Sequence, residues 1–404
     1  MGATQGASAD RAGQDQVVFQ KAVASTARTL GRYGGVLLQA STALDGSLLF
    51  AGAAGTLSTG ARSNISVGDT FEVASVTKMV TATVILQLED EGLLRLDDPW
   101  TSVKDGAVKA KVQEHVPTWP FQRFGDVTIL QLLQHTSCLP NFWDDDSEFI
   151  KAFEADPNRL WSTWELLSYA ADMAMPFPAA KRGTAEAFHY ADTNYLLLGL
   201  VVEALTSSPL PAAFRERVFT PAGMSRQGTY CEFLEDRPQD APPLAARYFG
   251  KLQITGNKQH SADSFAAGGI VSTAQDLEKF MGALASGRLF PLGGQRTLHK
   301  MMSWIPAKRG KGFWYGLGLM RVDLEDQAGF FERFSRSKPR GYIWGHEGFG
   351  GAFAWYWVPG PEEDGLILTG TTNNEVRNYG DLIVKVVKQV QKKNAALRAL
   401  KPKP

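Results

Sequence analysis

The sequence predicts an α/β domain interrupted by a mostly helical one. Strand-like apolar runs and a helix stand at both ends of the 404-residue chain, and from roughly residue 110 to 230 the pattern is mainly helical. No internal repeat is visible. The expected organisation is a disordered N-terminus over 1–15, a discontinuous α/β domain over 16–110 and 264–395, a mainly helical domain over 111–263, and a basic tail over 396–404.

Each element has a local reason. Residues 1–15 are small and polar, and Val17 to Leu30 reads as a helix. "GGVLLQASTALDGSLLFAGAAG" holds two apolar runs around Asp45-Gly46, a hairpin signal. In "FEVASVTKMVTATVILQLEDEG", residues 71–92, Val80, Val84, Ile85 and Leu88 recur at helical spacing and Gly92 supplies a C-cap. "VTILQLLQHTSCLP" ends at Pro140, and "TWELLSYAADMA" continues the helical pattern. "TNYLLLGLVVEAL" is apolar on nearly every face, which marks a buried helix capped by Asp192 or Thr193. Residues 232–263 are Pro-rich and polar, a long loop. "GGIVSTAQDLEKFMGAL" resumes with Ser272 or Thr273 as cap. "GAFAWYWV" and "GLILTGTTN" read as adjacent strands joined through "PGPEEDG", and "DLIVKVVKQVQKK" closes the chain as a helix.

Composition excludes several functions. Hydrophobic residues at 44% and charged residues at 21% describe an ordinary soluble globular protein. The 42 basic and 42 acidic side chains cancel, so no strong field favours nucleic acid or an anionic membrane. The N-terminus lacks the apolar core of a secretory signal, and no run approaches a membrane span. Two cysteines, Cys138 and Cys231, fit a reducing compartment, so the expectation is a cytoplasmic protein. The six histidines, His115, His135 and His189 among them, show no metal-ligand spacing, and no G-x-S-x-G, H-E-x-x-H or P-loop is present.

Three motifs remain. Ser75 and Lys78 form Ser-x-x-Lys at the front of a helix, a pattern expected roughly once or twice by chance in a chain of this size. A second copy, Ser335 and Lys338, lies in "RFSRSKPRG", where Pro339 and crowded charge argue for a surface loop. Around the first copy, the helix macrodipole favours an activated hydroxyl, and Lys78 lies one turn on along the same face. Apolar flanks would desolvate the amine and favour its neutral form. Read alone, the pair is more often, by about two to one, an N-cap serine with a solvated lysine. "FHYADTNYLLLGLVVE" places Tyr190 in a turn before the buried helix, where a phenol near a lysine can serve as base; Tyr379 in "NYGD" is a comparable Tyr-x-Asp without that context. "WGHEGFGGAFAWYWV" holds His346-Glu347-Gly348, the sole His-x-Gly, leading into a strand whose glycines let a substrate approach backbone N–H groups.

Together these residues resemble the serine β-lactamase and penicillin-binding-protein superfamily, in particular its class C-like (family VIII) esterase and fungal transesterase branch. The resemblance runs from about residue 35 to 390 through "VASVTKMVTATVILQLEDEGLLRLDDP", "VTILQLLQHTSCLP", "YADTNYLLLGLVVE", "AAGGIVSTAQDLEKF", "YGLGL" and "GHEGFGGAF". It implies an antiparallel sheet flanked by helices, with a mostly helical domain above the cleft. It further implies Ser75 as acylated nucleophile, Lys78 as its proton partner, Tyr190 as general base, and His346 in the third-motif position. The backbone N–H groups of Ser75 and Phe349 would form the oxyanion hole, and no cofactor is needed. Asp192 stands where penicillin-recognising members carry asparagine, Cys138 where "HTSGL" has glycine, and His346-Glu347-Gly348 where they carry Lys-Thr-Gly. Glu347 then repels a substrate carboxylate by about 1–4 kcal/mol, which argues against β-lactams. Asp192, Glu347 and Gly348 would contact substrate, and Phe142, Trp143, Trp314 and Tyr315 would line an apolar pocket. The expected activity is cleavage of a small-molecule ester or other acyl donor through an acyl-enzyme. Acyl transfer to an alcohol or amine, D-aminopeptidase or amidase activity, a β-lactamase and an inactive scaffold are the alternatives.

Overall fold

Both ends of the chain build one sheet. The computed structural model describes residues 2–59, 63–144, 147–307, 310–326, 339–360, 363–375 and 379–399. The sheet comprises β1 (Gly35–Thr42), β2 (Leu48–Gly55), β3 (Ile305–Pro306), β4 (Phe313–Tyr315), β5 (Met320–Asp323), β6 (Tyr342–Gly348), β7 (Ala352–Val358) and β8 (Leu366–Thr371), in the order β2-β1-β8-β7-β6-β5-β4-β3. Every neighbouring pair is antiparallel. N- and C-terminal sequence meet where β1 pairs with β8, Leu37 opposite Thr371. The β1–β2 hairpin turns at Asp45, whose carboxylate accepts hydrogen bonds from the Thr42 hydroxyl and the Ser47 N–H. The second Ser-x-x-Lys copy, at Ser335 and Lys338, lies outside the described residues.

The sheet carries a core on each face. One is closed by α1 (Gly2–Leu30) and α5 (Gly380–Ala399), which bring Phe19, Val23 and Leu30 together with Leu382, Ile383 and Val387 over β1, β7 and β8. The other is filled by α2 (Thr77–Asp90), α3 (Asp192–Thr206), α4 (Ala274–Ala285) and shorter helices. Every residue of α2 from Thr77 to Leu88 is buried, so its polar side chains must find partners inside. They do: the Thr81 hydroxyl donates to the Ala266 carbonyl at 2.8 Å and the Gln87 amide to the Leu289 carbonyl at 2.6 Å. Gly92, at φ +75°, takes the left-handed position that ends α2. Thr273 caps α4 by accepting from the Asp276 N–H. Among the described residues no single helix is long and apolar enough to cross a membrane, and α3 is core.

Three expectations change. The first helix begins at Gly2 rather than near Val17; Ala3, Ala7, Ala9 and Ala12 are strong helix formers and no proline interrupts them. At the other end α5 runs to Ala399, into the expected tail, while residues 400–404 lie outside the described residues. The stretch 232–263 is folded rather than a plain loop, with a small hairpin of Tyr248–Phe249 against Leu252–Gln253 and a 3₁₀ segment over Lys258–Asp263.

Candidate active site

Ser75 sits in a single 3₁₀ turn, Ala74–Val76, between the short strand Phe71–Glu72 and α2. Ala74 before it has φ +45°, a left-handed conformation that costs an L-residue roughly 1–2 kcal/mol. The end of β6 presses on this turn. A Cβ on Gly348 would lie 2.1 Å from the Val73 carbonyl oxygen, so only glycine fits. That packing brings Ser75 and Phe349 to one rim of the same cleft.

Lys78, one turn along, is fully buried. Its Nζ lies 2.9 Å from Ser75 Oγ, 2.8 Å from the Ala267 carbonyl oxygen and 2.7 Å from Asp192 Oδ1. Two hydrogen-bond acceptors and a carboxylate in ion-pair contact describe an ammonium. The tyrosine rings of Tyr190 and Tyr195, centred 5.0 and 5.5 Å away, offer two further faces for a cation. Burial by itself pushes this lysine down, but the Asp192 carboxylate and Tyr190 outweigh it, and the group ends above its ordinary value of 10.5. Opposite charges 2.7 Å apart attract by about 6 kcal/mol at an effective dielectric of about 20, comparable with the several kcal/mol that burying an ion costs. The expected neutral lysine is therefore corrected. Apolar flanks do desolvate it, but a carboxylate from α3 compensates.

Tyr190 ends the segment before α3 and hydrogen-bonds both Lys78 and Ser75. Burial raises its phenol above the usual 10 and the Lys78 charge only partly offsets that, so the resting group is a neutral phenol. Neither Asp192 nor Thr193 caps α3, as the sequence suggests; Ala191 holds that position without a side-chain bond. Asp192 is taken by Lys78, and the Thr193 hydroxyl donates to the Pro140 carbonyl at 2.7 Å. The Asp192 N–H instead donates to Asn141 Oδ1 at 3.1 Å.

Along β6, alternation separates the third motif. His346 is fully buried behind the cleft, while Glu347 lines it and accepts from the Tyr379 hydroxyl at 2.6 Å. A relay fixes the histidines. His135 Nδ1 accepts from the Ala191 N–H, its Nε2 lies 3.2 Å from the Tyr315 hydroxyl, and that hydroxyl lies 3.2 Å from His346 Nε2. His346 Nδ1–H then donates to the Glu347 carbonyl at 2.5 Å, so His135 carries its proton on Nε2 and His346 on Nδ1. Tyr315 is thus part of this buried support and not of an apolar pocket.

Of the other aromatics, Trp143 lines the cleft, Phe142 is buried beneath it against Phe149, and Trp314 points its Nε1–H at Asp323. Phe153, Phe249 and Phe349 provide the aromatic walls instead. Cys138 is buried at φ +61°, the left-handed position where the resembling motif has glycine. Sequence reasoning missed Asn141, Glu375 and the Ala267 carbonyl, for which no motif exists, and set aside Tyr379, whose Tyr-x-Asp was the available signal. Among the described residues no cluster of three or more His, Cys, Asp or Glu side chains is arranged to hold a metal ion.

With this geometry in place, comparison with known proteins is informative. A family model described as Beta-lactamase matches residues 19–381. A putative penicillin-binding protein, PbpX, of Bacillus subtilis (strain 168) is 26% identical over 248 residues, 61% of this chain and 52% of the relative, so the chain spans about half the length of that relative. Among solved structures, a D-stereospecific amidohydrolase from Streptomyces sp. superposes with a TM-score of 0.66 at 25% identity, over 93% of this chain and 98% of that one. EstCE1, described as a hydrolase with promiscuous acyltransferase activity, shares the fold with a TM-score of 0.67 at 18% identity, over 93% of this chain and 98% of its own.

Proposed function

The chain belongs to the Beta-lactamase family of serine hydrolases and penicillin-binding proteins, and from that membership we propose that it cleaves small esters or amides of amine-bearing acyl groups through an acyl-enzyme on Ser75. The observation that carries this reading is the charge of the cleft. A cavity of about 930 Å³ around Ser75 is lined by Glu154, Glu347 and Glu375, together with Asp192 and Asp263, which are paired with the buried Lys78 and Arg247, and among its described lining residues there is no Lys or Arg. A β-lactam or a peptide C-terminus would bring its carboxylate into that field, whereas an ammonium is attracted by it. The similarity to a D-stereospecific amidohydrolase supports amides beside esters as substrates.

In this reaction Ser75 Oγ attacks the acyl carbon while the N–H groups of Ser75 and Phe349 hold the developing oxyanion. Asp192 and Glu347 face the acyl group from the two sides of the cleft. The stacked pair Phe249 and Phe349, with ring centroids 6.2 Å apart and both exposed, favours a second outcome, transfer to an alcohol or amine seated on that rim.

The test is intact mass after brief exposure to p-nitrophenyl esters, one aminoacyl and one N-acetylated. A single adduct on the wild type, absent from Ser75→Ala, is expected, with the free-amine ester consumed at least about tenfold faster. Equal rates for the two esters would remove the amine from the reading, and an adduct retained on Ser75→Ala would remove the nucleophile.

A further inference from the structure

Asp192 does more than flank the substrate. Its carboxylate arrives on the first turn of α3, where its own N–H is held by Asn141, and it reaches Lys78 Nζ at 2.7 Å with its side chain only 18% exposed. Lys78 is faced by Ser75 from its own chain turn, by the Ala267 carbonyl, by Asp192 and Tyr195 from α3, and by Tyr190 from the residues just before it. Tyr190 is faced in turn by His135, His346 and Tyr315, with ring centroids 4.3, 6.2 and 6.0 Å away. His135 Nδ1 accepts the Ala191 N–H, so that imidazole is neutral, and His346 Nε2 lies 3.2 Å from the Tyr315 hydroxyl. Glu347 faces the same cleft. Asp192 is thus the carboxylate in direct contact with the lysine.

We propose that Asp192 is a positioning residue that clamps the Lys78 ammonium onto Ser75 and thereby assigns the base role to Tyr190. This rests on the acyl-enzyme reading above. Held 2.7 Å from Asp192 Oδ1, Lys78 stays an ammonium with no lone pair, so it donates to Ser75 Oγ and cannot accept the serine proton. The reactive form is the one in which the cluster has lost a single proton, leaving Tyr190 as phenolate. As the Ser75 Oγ–carbon bond forms, the Oγ–H bond breaks and its proton passes to Tyr190. Tyr190 then delivers that proton to the departing oxygen or nitrogen as the acyl bond breaks. Water or an alcohol repeats the exchange in deacylation, and Lys78 keeps its charge throughout. Because Asp192 makes loss of that proton harder for both partners, the acid limb of the pH profile lies high.

The consequence is unusual for an active-site carboxylate: neutralising it should extend activity to more acid pH. The profile of kcat/KM, which reports the free enzyme, is measured for wild type, Asp192→Asn and Asp192→Glu. The Asn variant is expected to move the acid limb down by about one unit or more, because it removes a like charge beside the phenol that must ionise. The Glu variant keeps the limb near wild type. A limb unmoved in Asp192→Asn, with or without loss of rate, overturns the proposal.

A measurement on the wild type covers the case in which that variant does not fold. Labelling of Ser75 by an uncharged fluorophosphonate should still be accelerating between pH 7 and 9, and a rate flat from pH 6 to 9 overturns the proposal equally. Absence of labelling at every pH would instead overturn the acyl-enzyme reading on which this one stands.

Discussion

Glu347 shows how much one position contributes. It occupies the middle of the third motif, lines the cleft beside Ser75, and is oriented by the Tyr379 hydroxyl. A charge-assisted hydrogen bond to a substrate ammonium contributes about 1–2 kcal/mol net, a factor of 5–30 in binding. Glu347→Gln should therefore raise KM for an aminoacyl ester about 5- to 30-fold, leave kcat within a few-fold, and leave the N-acetylated ester unchanged. Steady-state kinetics on the two esters reads this directly; equal effects on both would mean that Glu347 shapes the cleft rather than recognising charge. At this scale the sequence is readable where chemistry demands a fixed spacing. Ser75 and Lys78 lie one helical turn apart, and their contact follows from that. The charge state of Lys78 was not readable, because the carboxylate that decides it comes from another helix. Nor was the conformation of Cys138, since a left-handed φ at a non-glycine residue leaves no trace in composition.

One step up, the segment 232–263 explains why a polar, proline-rich stretch was read as a loop. Its charges are spent inside the protein. Arg247 is buried, with Nε 2.6 Å from Glu72 Oε2 and an Nη 3.0 Å from Asp263 Oδ2, and its guanidinium lies over the ring of Phe349 at 5.4 Å. Periodicity cannot reveal a buried cation whose partners are Glu72 on a distant strand and Asp263 at the end of a 3₁₀ segment. The network ties Glu72, three residues before Ser75, to the Phe349 turn. Glu232 belongs to it and its carboxyl is pushed up to about 8, chiefly by burial and then by the neighbouring Glu72 charge. The sign follows from proton counting. Between its ordinary 4.5 and about 8, folded Glu232 holds a proton that the unfolded chain has released, so its contribution to stability falls as pH rises through that window. Glu232→Gln cannot ionise. Its Tm relative to wild type should therefore climb from pH 5 to about pH 8 and level off above that. A difference in Tm that stays constant over that range would show that Glu232 ionises as freely in the folded protein as in the unfolded one.

For the molecule as a whole, the sheet divides labour between its two faces. The order of strands and helices at the chain ends was legible from short apolar runs bounded by turn residues, because β1 and β8 are buried on both faces of the sheet. The pairing of β1 with β8 was not, since nothing local in either strand specifies a partner more than 300 residues away. That pairing closes the core under α1 and α5, on the face away from α2 and α3. Phe19 on α1 is 2% exposed and meets Phe50 of β2 edge-on, with ring centroids 5.5 Å apart. Phe19→Ala should cost about 3–5 kcal/mol through lost burial and the cavity left behind, lowering Tm by several degrees. Since neither ring touches the cleft, kcat/KM at 25 °C should stay within about twofold and the acid limb should not move. Leu197→Ala is the informative partner. Leu197 is fully buried in α3, the helix that begins with Asp192. Loss of packing there should cost about 2–5 kcal/mol and also loosen the Asp192–Lys78 pair, lowering kcat/KM by more than the twofold allowed for Phe19→Ala and drawing the acid limb downward. If the two variants lose stability and activity in the same proportion, the faces are not independent, and the sheet transmits strain from α1 to Ser75.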